Sequence, residues 1–210
     1  ETWLNANESP FANDFDIDTG HFNRYPDCQP QRVLLPYSEY AGVQANQLLV
    51  SRGADEGIEL LIRTFCSPGK DSILICPPTY GMYAISAETC NIGVERAPLN
   101  ADFSLDVSAI SAYKGKVNLV FICSPNNPTG TSIGKAQLKQ VLEHFADSAL
   151  VVVDEAYFEF DANNTWATEL ATYPNLVVLR TLSKAFALAG LRCGFTLANN
   201  DIIHSIMKVI

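Results

Sequence analysis

Two kinds of hydrophobic pattern alternate along the chain. Short apolar runs predict strands at residues 48–51, 72–76, 92–97, 117–123, 149–153, 175–182 and 193–197. Two segments carry apolar residues at i, i+3, i+4 and i+7, the spacing of an amphipathic helix: Ile58, Leu61, Ile62 and Phe65, and then Leu138, Val141, Leu142 and Phe145. Residues 80–90 and the last ten residues are also compatible with helices.

The order of these elements predicts the fold class. The run at 117–123 is nearly all apolar, which suits a strand buried on both faces, as in a parallel sheet. Strands that alternate with helices predict an α/β protein of three layers, with a mostly parallel sheet between two helical layers. Residues 1–46 contain scattered Asn, Asp and Pro, so we expect an N-terminal arm there and the sheet domain at 47–210.

Composition and charge exclude several classes of protein. The 210 residues are 48% apolar and 18% charged, enough for a sizeable core, and no apolar run is long enough to span a membrane. The net charge of −9 argues against a nucleic-acid or anionic-membrane partner. Residues 1–105 carry 14 acidic and 6 basic side chains, whereas residues 106–210 carry 9 and 8. A small anionic ligand is therefore expected to favour the second half.

The six cysteines are dispersed, with no C-x-x-C pair and no histidine cluster nearby. We therefore expect free thiols, no metal site, and a reducing compartment such as the cytoplasm. The chain does not begin with Met, and it ends on an apolar-rich segment without a helix stop signal. Both ends are expected to be cut.

Polar residues follow four of the predicted strands, and in parallel sheets ligands bind beyond the carboxyl ends of the strands. These strand ends supply amides, a carboxylate, a phenol, hydroxyls and an amine, at residues 53–56, 124–130, 154–157 and 181–184. We expect the four ends to converge on one site.

Lys184 and Asp154 are the sharpest candidates at these ends. Lys184 could be a surface residue, but the apolar run 185–190 beside it would disfavour its ammonium form and leave a nucleophilic amine. Asp154 could cap the following turn, or it could be a buried carboxylate that pairs with a cation such as a pyridinium N–H. Both alternatives remain open for both residues.

Gly53-Ala54-Asp55 opens a helix directly after a strand, where free backbone N–H groups favour a phosphate. The segment 130–135 resembles a P-loop, but it is one residue short between its glycines and Ala136 replaces Ser or Thr. The sequence contains no G-x-G-x-x-G and no G-x-S-x-G. Nucleotide hydrolysis and metal-dependent hydrolysis are therefore disfavoured.

The strand-end motifs resemble those of the pyridoxal-phosphate-dependent aminotransferases of classes I and II, which have fold type I. Three motifs occur in order and at that family's spacing: Ser-Pro-Asn-Asn-Pro-Thr-Gly at 124–130, Asp-Glu-Ala-Tyr at 154–157, and Ser183-Lys184 followed by Arg192. Within this group the chain is most similar to the histidinol-phosphate aminotransferases, through residues 5–8, 23–26, 51–56, 76–83 and 180–186.

The resemblance implies roles around the ring of pyridoxal 5'-phosphate. Lys184 would form a Schiff base with the cofactor and then act as the catalytic base. Asp154 would pair with the pyridinium nitrogen, Asn127 and Tyr157 would hydrogen-bond the phenolic oxygen, and Tyr80 would lie against the ring face.

The resemblance also implies the phosphate and substrate contacts. The cofactor phosphate would be bound by Ala54, Asp55, Thr181, Ser183 and Arg192. Tyr25 would reach across a homodimer interface to the partner's phosphate, which gives a shared active site. Asn7, Tyr25 and Asn127 are the expected substrate contacts, with the arm around Asn5–Asn7 as a lid.

The implied reaction is ping-pong transamination of L-histidinol phosphate with 2-oxoglutarate, in histidine biosynthesis. Two rivals share the cofactor motifs: an aromatic-amino-acid aminotransferase and a phosphoamino-acid decarboxylase. The family continues beyond residue 210 into a small domain that carries the arginines for the substrate carboxylate and phosphate. Residues 47–210 would then be an incomplete large domain, residues 1–46 an arm with part of the small domain, and an inactive cofactor-binding fragment is the third alternative.

Overall fold

A computed structural model describes residues 5–210 and places a seven-stranded sheet at their centre. The strands are β1 (Leu48–Ser51), β2 (Ser72–Ile75), β3 (Gly93–Arg96), β4 (Leu119–Cys123), β5 (Leu150–Asp154), β6 (Leu176–Thr181) and β7 (Gly194–Ala198). Their order across the sheet is β1-β7-β6-β5-β4-β2-β3. All pairings among β2 to β6 are parallel, and β7 runs antiparallel to both β6 and β1.

Helices cover both faces of the sheet. They are α1 (Gln31–Ala41), α2 (Gly53–Phe65), α3 (Met82–Thr89), α4 (Val107–Ser111), α5 (Lys135–His144) and α6 (Asn200–Ile206). One core contains the buried residues of α1, α4 and α5, and the other contains those of α2, α3 and α6. The three-layer α/β architecture with a mostly parallel sheet is confirmed.

Side chains on the central strands alternate between the two cores, as strand geometry requires. In β5, Val151 and Val153 face the layer of α1 and α5, whereas Val152 faces the layer of α2 and α3. The same alternation places Asp154 on the α2 and α3 side, and the next residue, Glu155, on the opposite side. Because successive side chains of a strand point to opposite faces, the adjacent residues Asp154 and Glu155 lie in different layers of the protein.

The antiparallel strand β7 determines where the strand ends meet. Because β7 lies between β1 and β6 and is antiparallel to both, β1 and β6 run in the same direction. Ser51 at the end of β1 and Thr181 at the end of β6 both pair with Gly194. The carboxyl end of β1 therefore lies at the same edge of the sheet as those of β4, β5 and β6.

The segment expected to be an arm contains a helix that the sequence did not predict. Helix α1 contains Pro36, and its Tyr37 ring stacks on Phe195 of β7 with the ring centroids 3.4 Å apart. Its apolar face is part of a sheet core, so residues 31–41 pack on the sheet domain. Residues 5–28 are exposed and irregular, and residues 1–4 of the expected arm lie outside the described part. No helix among the described residues is long and apolar enough to cross a membrane.

Candidate active site

A cavity of about 530 Å³ opens at the carboxyl edge of the sheet. It is bounded by the arm, the start of α2, the ends of β4, β5 and β6, and the loop before β7. Eleven of the residues selected from the sequence line it: Asn7, Ala54, Asp55, Tyr80, Asn127, Asp154, Tyr157, Thr181, Ser183, Lys184 and Arg192. The twelfth, Tyr25, lies outside the cavity on the arm and is fully exposed.

Lys184 projects into the cavity directly after β6. Its Nζ donates a hydrogen bond to the backbone oxygen of Ala6, 2.6 Å away, and lies 5.8 Å from the centre of the Tyr157 ring. Burial lowers the pKa of the Lys184 ammonium below its ordinary value. The amine is therefore easier to deprotonate than that of a surface lysine, as the apolar sequence around it predicted.

Asp154 ends β5 and is 2% exposed. Its Oδ2 accepts a hydrogen bond of 2.6 Å from the Tyr83 hydroxyl, and its Oδ1 accepts one of 3.0 Å from the backbone N–H of Ala156. Burial raises the pKa of this carboxyl to about 6, although both hydrogen bonds act in the opposite direction. The hydrogen bond from the Ala156 N–H closes a short turn. Asp154 therefore caps this turn and is at the same time a buried carboxylate.

The start of α2 and Arg192 form a concave surface at one end of the cavity. Gly53 has a φ of +80°, and a Cβ atom there would lie 2.6 Å from Arg192 Nη2. A Cβ atom on Gly194 would collide with the backbone of Gly53 and Ala54. Two glycines thus let β7 and the Arg192 guanidinium approach the first N–H groups of α2, which is the geometry of an anion site.

Asp55 places an acidic group against this surface. Its Oδ2 lies 3.7 Å from Arg192 Nη2, and its Oδ1 accepts a hydrogen bond of 3.0 Å from the Tyr80 hydroxyl. The hydrogen bond between Tyr80 and Asp55 therefore connects the loop before α3 to the start of α2. The side chain of Asp55 is drawn toward Tyr80 and Arg192, while its backbone belongs to the first turn of the helix.

Three further contacts arrange the remaining cavity side chains. Thr181 Oγ1 lies 2.9 Å from Ser183 Oγ and accepts a hydrogen bond from the Ser183 N–H, so the two hydroxyls lie side by side in the cavity wall. On the arm side, Asn7 Nδ2 donates to the Tyr157 hydroxyl at 3.0 Å. Burial raises the pKa of Tyr157 above its ordinary value.

The two adjacent asparagines of the loop after β4 have different environments. Asn126 is buried, accepts a hydrogen bond from Thr79 Oγ1 at 3.0 Å, and donates to Pro78 O and Thr129 Oγ1 at 2.9 Å each. Asn127 lines the cavity. Asn126 therefore fixes the loop, and that constraint presents Asn127 to the site.

Sequence reasoning missed several residues around the site. Tyr83 holds Asp154, and Cys123 lines the cavity, yet neither was assigned a role. On the opposite face, Arg180 Nε donates to Glu155 Oε2 at 3.0 Å, and both side chains are almost fully buried. The alternation of side chains along β5 and β6 could have predicted this pair. Asp154 pairs with Leu179, so Glu155 and Arg180, each one residue further along, both face the opposite layer.

Within residues 5–210 no group of three or more His, Cys, Asp or Glu side chains could hold a metal ion. All six cysteines are free. The ionisable groups of the cavity are therefore an amine, carboxyls, phenols, a thiol and a guanidinium.

The sequence was compared with models of protein families and with known proteins. Residues 2–210 match the family model described as aminotransferase class I and II. The histidinol-phosphate aminotransferase of Pseudoalteromonas atlantica (strain T6c / ATCC BAA-1087) is 75% identical over 210 residues, which are 100% of this chain and 57% of that protein. The chain thus spans little more than half the length of this relative.

Solved structures show the same architecture. The histidinol-phosphate aminotransferase of Clostridium acetobutylicum superposes with a TM-score of 0.81 at 29% identity, over 90% of this chain and 56% of that one. The enzyme of the same name from Sinorhizobium meliloti, solved in complex with pyridoxal 5'-phosphate, gives a TM-score of 0.82 at 22% identity, over 90% of this chain and 52% of that one. The latter likeness concerns the fold alone.

Proposed function

The chain belongs to the class I and II aminotransferases, and we propose on that premise that its cavity binds pyridoxal 5'-phosphate for transamination of L-histidinol phosphate with 2-oxoglutarate. The observation that carries the proposal is the convergence of Asp154, from the end of β5, with Lys184 and Arg192, from the connection between β6 and β7, on one cavity. The identity of 75% to a histidinol-phosphate aminotransferase supports the choice of substrate.

The residues of the cavity fit this cofactor at both of its ends. At one end, the space left by Gly53 and Gly194 brings helix N–H groups and a guanidinium together, which suits a phosphate. At the other end, Asp154 is buried and forms no ion pair with a cation of residues 5–210, and a protonated ring nitrogen would compensate its charge. When bound, pyridoxal phosphate supplies an aldehyde that condenses with amines and a ring that accepts electron density from the substrate α-carbon.

Lys184 supplies the reactive amine and moves the proton. Because burial lowers the pKa of its ammonium, Nζ is more readily neutral than that of a surface lysine, and a neutral Nζ can attack a carbonyl carbon. The neutral Nζ would also take the proton from the substrate α-carbon and return it at a different atom. Its present partner, the oxygen of Ala6, must give up this hydrogen bond for either step.

Asp154 would supply the negative charge that a protonated ring nitrogen requires. Its carboxylate is oriented by donors on both oxygens, so it needs no reorganisation when a cation arrives. A cation at this position stabilises the ionised form and lowers the pKa of the carboxyl.

The phosphate contacts come from the opposite end of the cavity. Arg192 presents a planar fork that can bind two phosphate oxygens, which a lysine cannot reproduce. The backbone of Ala54 and Asp55 and the hydroxyls of Thr181 and Ser183 complete the set that we propose. Binding of a phosphate would replace the 3.7 Å contact between Arg192 and Asp55.

The remaining lining residues orient the ring and the substrate. Asn127, Tyr157 and Tyr80 line the cavity, and we propose that the first two hydrogen-bond the phenolic oxygen and that Tyr80 lies against the ring face. Asn7 already contacts the Tyr157 hydroxyl, so the arm can cover the substrate. Exclusion of water by this arm would strengthen every polar contact inside the cavity.

We further propose a homodimer with a shared active site, located in the cytoplasm. Tyr25 is fully exposed outside its own chain's cavity, and neighbouring arm residues Phe11, Phe15 and Phe22 are also exposed, as expected for a segment that a second subunit covers. Six free cysteines support a reducing compartment.

The proposal is tested by half-reactions of the purified protein loaded with pyridoxal phosphate. Histidinol phosphate should convert the visible absorbance of the bound cofactor to the ultraviolet, and 2-oxoglutarate should restore it with release of one glutamate per cycle. Lys184→Ala should abolish both changes.

The rival functions are outcomes of the same experiment. Faster conversion by phenylalanine would assign an aromatic-amino-acid aminotransferase, and carbon dioxide released from a phosphoamino acid would assign a decarboxylase. Cofactor binding without conversion by any donor would leave a cofactor-binding protein, and the transaminase proposal would be wrong.

A further inference from the structure

Tyr83 lies beneath the cavity and contacts two groups that face it. Its side chain is fully buried, and its ring stacks on Phe121 of β4 with the centroids 4.9 Å apart and an interplanar angle of 17°. The edge-to-face contact with the Tyr80 ring has a centroid distance of 5.6 Å and an angle of 83°. The ring therefore has one packed position, which fixes where its hydroxyl points.

The hydroxyl of Tyr83 points at the carboxyl of Asp154. The distance from the hydroxyl oxygen to Asp154 Oδ2 is 2.6 Å, the length of a strong charge-assisted hydrogen bond. Because Tyr83 is enclosed and faces a carboxylate, its pKa is well above the ordinary value, so the phenol keeps its proton and acts as the donor. The backbone N–H of Ala156 binds the other oxygen, Oδ1.

We propose that Tyr83 is a positioning residue for the transamination proposed above: through its hydroxyl it orients Asp154 and favours the ionised carboxylate that a pyridinium nitrogen requires, and through its ring it supports Tyr80. The inference rests on that proposed function. A donor to a carboxylate stabilises the charged form, so removal of the hydroxyl leaves a fully buried carboxyl with one donor and a greater tendency to be protonated. A protonated Asp154 has no charge with which to keep the ring nitrogen protonated.

Other ionisable groups also act electrostatically on the carboxyl of Asp154, including Glu155 from the opposite face of the sheet, and their effects must be separated from that of Tyr83. Cys123 of β4, Asp55 of α2, Glu155 of the same strand end and Lys184 after β6 act on it electrostatically, as do the phenols of Tyr80 and Tyr157. Tyr83→Phe leaves all of these in place and removes a single oxygen atom. The substitution therefore removes the hydrogen bond to Asp154 together with the contact of the hydroxyl with the Cys123 thiol.

Tyr37 provides a matched control on the opposite face of the sheet. It is also a buried tyrosine with a stacked ring, and its hydroxyl has no hydrogen-bond partner among residues 5–210. Tyr37→Phe removes the same oxygen from a similar environment without contact to Asp154. Its half-reaction rate should equal that of the unsubstituted protein.

The first experiment needs no cofactor. In protein labelled with carboxyl-¹³C aspartate, the Asp154 resonance is assigned by its loss in Asp154→Asn, and its titration midpoint is compared among variants. We expect the midpoint to move to higher pH in Tyr83→Phe and to stay unchanged in Tyr37→Phe. An unchanged midpoint in Tyr83→Phe would overturn the inference. Should Tyr83→Phe fail to fold, 3-fluorotyrosine is introduced at position 83. Its hydroxyl is a stronger donor, so the titration midpoint of Asp154 should move to lower pH. An unchanged midpoint would overturn the inference.

The second experiment uses the protein loaded with pyridoxal phosphate. For Tyr83→Phe we expect kcat for histidinol phosphate to fall about tenfold at pH 7 with KM within about threefold, since a lost charge-assisted hydrogen bond corresponds to a factor of this size. Equal kcat in Tyr83→Phe and Tyr37→Phe would overturn the inference. Failure of the unsubstituted protein to convert any donor would instead overturn the proposed function, and the carboxyl titration would still decide the contact between Tyr83 and Asp154.

Discussion

The guanidinium of Arg192 occupies the space that a side chain on Gly53 would fill. A Cβ atom built on Gly53 lies 2.6 Å from Arg192 Nη2, and Gly53 itself has a left-handed φ of +80°. The position thus demands glycine twice, for its backbone conformation and for the close approach of the cation. This contact between residues 139 positions apart creates the concave surface at which we place the cofactor phosphate.

Gly53→Ala tests this surface. The new methyl group must displace Arg192 from the first turn of α2, so we expect the affinity for pyridoxal phosphate to fall at least tenfold, since one charge-assisted hydrogen bond contributes about 1.5–3 kcal/mol. Equilibrium titration of the cofactor by its visible absorbance gives the affinity. Gly115→Ala is the control, because Gly115 has a φ of +73° with open space around its Cβ position. Equal losses in both variants would show that backbone strain alone matters.

The carboxyl of Asp154 makes the stability of the cofactor-free protein depend on pH. Burial raises its pKa to about 6, above the ordinary value near 4, so between these values the folded state binds more protons than the unfolded state. The free energy of unfolding should therefore fall as pH rises through this window, by an amount on the order of 2–3 kcal/mol, and level off above it.

Asp154→Asn should remove this contribution. Urea unfolding between pH 4 and 8, without cofactor, should show that the variant gains stability relative to the unsubstituted protein as pH rises to about 6. Asp147→Asn, at an exposed carboxylate paired with Lys114, should not reproduce this gain. Parallel pH profiles for Asp154→Asn and the unsubstituted protein would contradict the account.

The buried ion pair of Arg180 and Glu155 should be costly to break. Both side chains are at most 2% exposed, and Arg180 also donates to Thr165 Oγ1 and stacks over the Phe158 ring. Arg180→Met leaves Glu155 buried without its cation, so we expect a loss of about 3–5 kcal/mol in the free energy of unfolding. Chemical denaturation measures it.

Arg63→Met serves as the comparison, because Arg63 pairs with Glu59 on the exposed face of α2 at 3.6 Å. Exposed pairs one helical turn apart contribute about 0.3–0.5 kcal/mol. The double variant Arg180→Met and Glu155→Leu should recover much of the lost stability, since it removes the stranded charge. A loss at Arg180 no larger than at Arg63 would show that the pair is unimportant for folding.

The sequence pattern was sufficient for the sheet and for most of the cavity. Apolar runs placed the seven strands to within about two residues, and the carboxyl-edge rule placed Lys184 and Asp154 together. Arg192, which precedes an antiparallel strand, came only from the family resemblance. That success has a physical basis. Strands buried on both faces must be continuously apolar, so the first polar residue after each one marks the edge of the sheet.

Other features depend on packing that one-dimensional patterns do not encode. Helix α1 contains Pro36, which usually argues against a helix interior, and its stability comes from contacts such as Tyr37 on Phe195. Nothing in the pair Asn126-Asn127 shows which amide fixes the loop and which faces the cavity. Tyr83 looks in the sequence like a core aromatic residue, because its partner Asp154 is 71 residues away.

The central claim is that Lys184 is the amine that reacts with pyridoxal phosphate, and covalent trapping tests it most directly. The purified protein is mixed with pyridoxal phosphate, reduced with borohydride, digested and analysed by peptide mass spectrometry. Lys135, an exposed lysine that donates to the backbone oxygen of Asn163, serves as the internal comparison. We predict one phosphopyridoxyl group per chain, on the peptide that contains Lys184, and none in Lys184→Ala. Modification spread over surface lysines such as Lys135, or equal labelling of Lys184→Ala, would contradict the account.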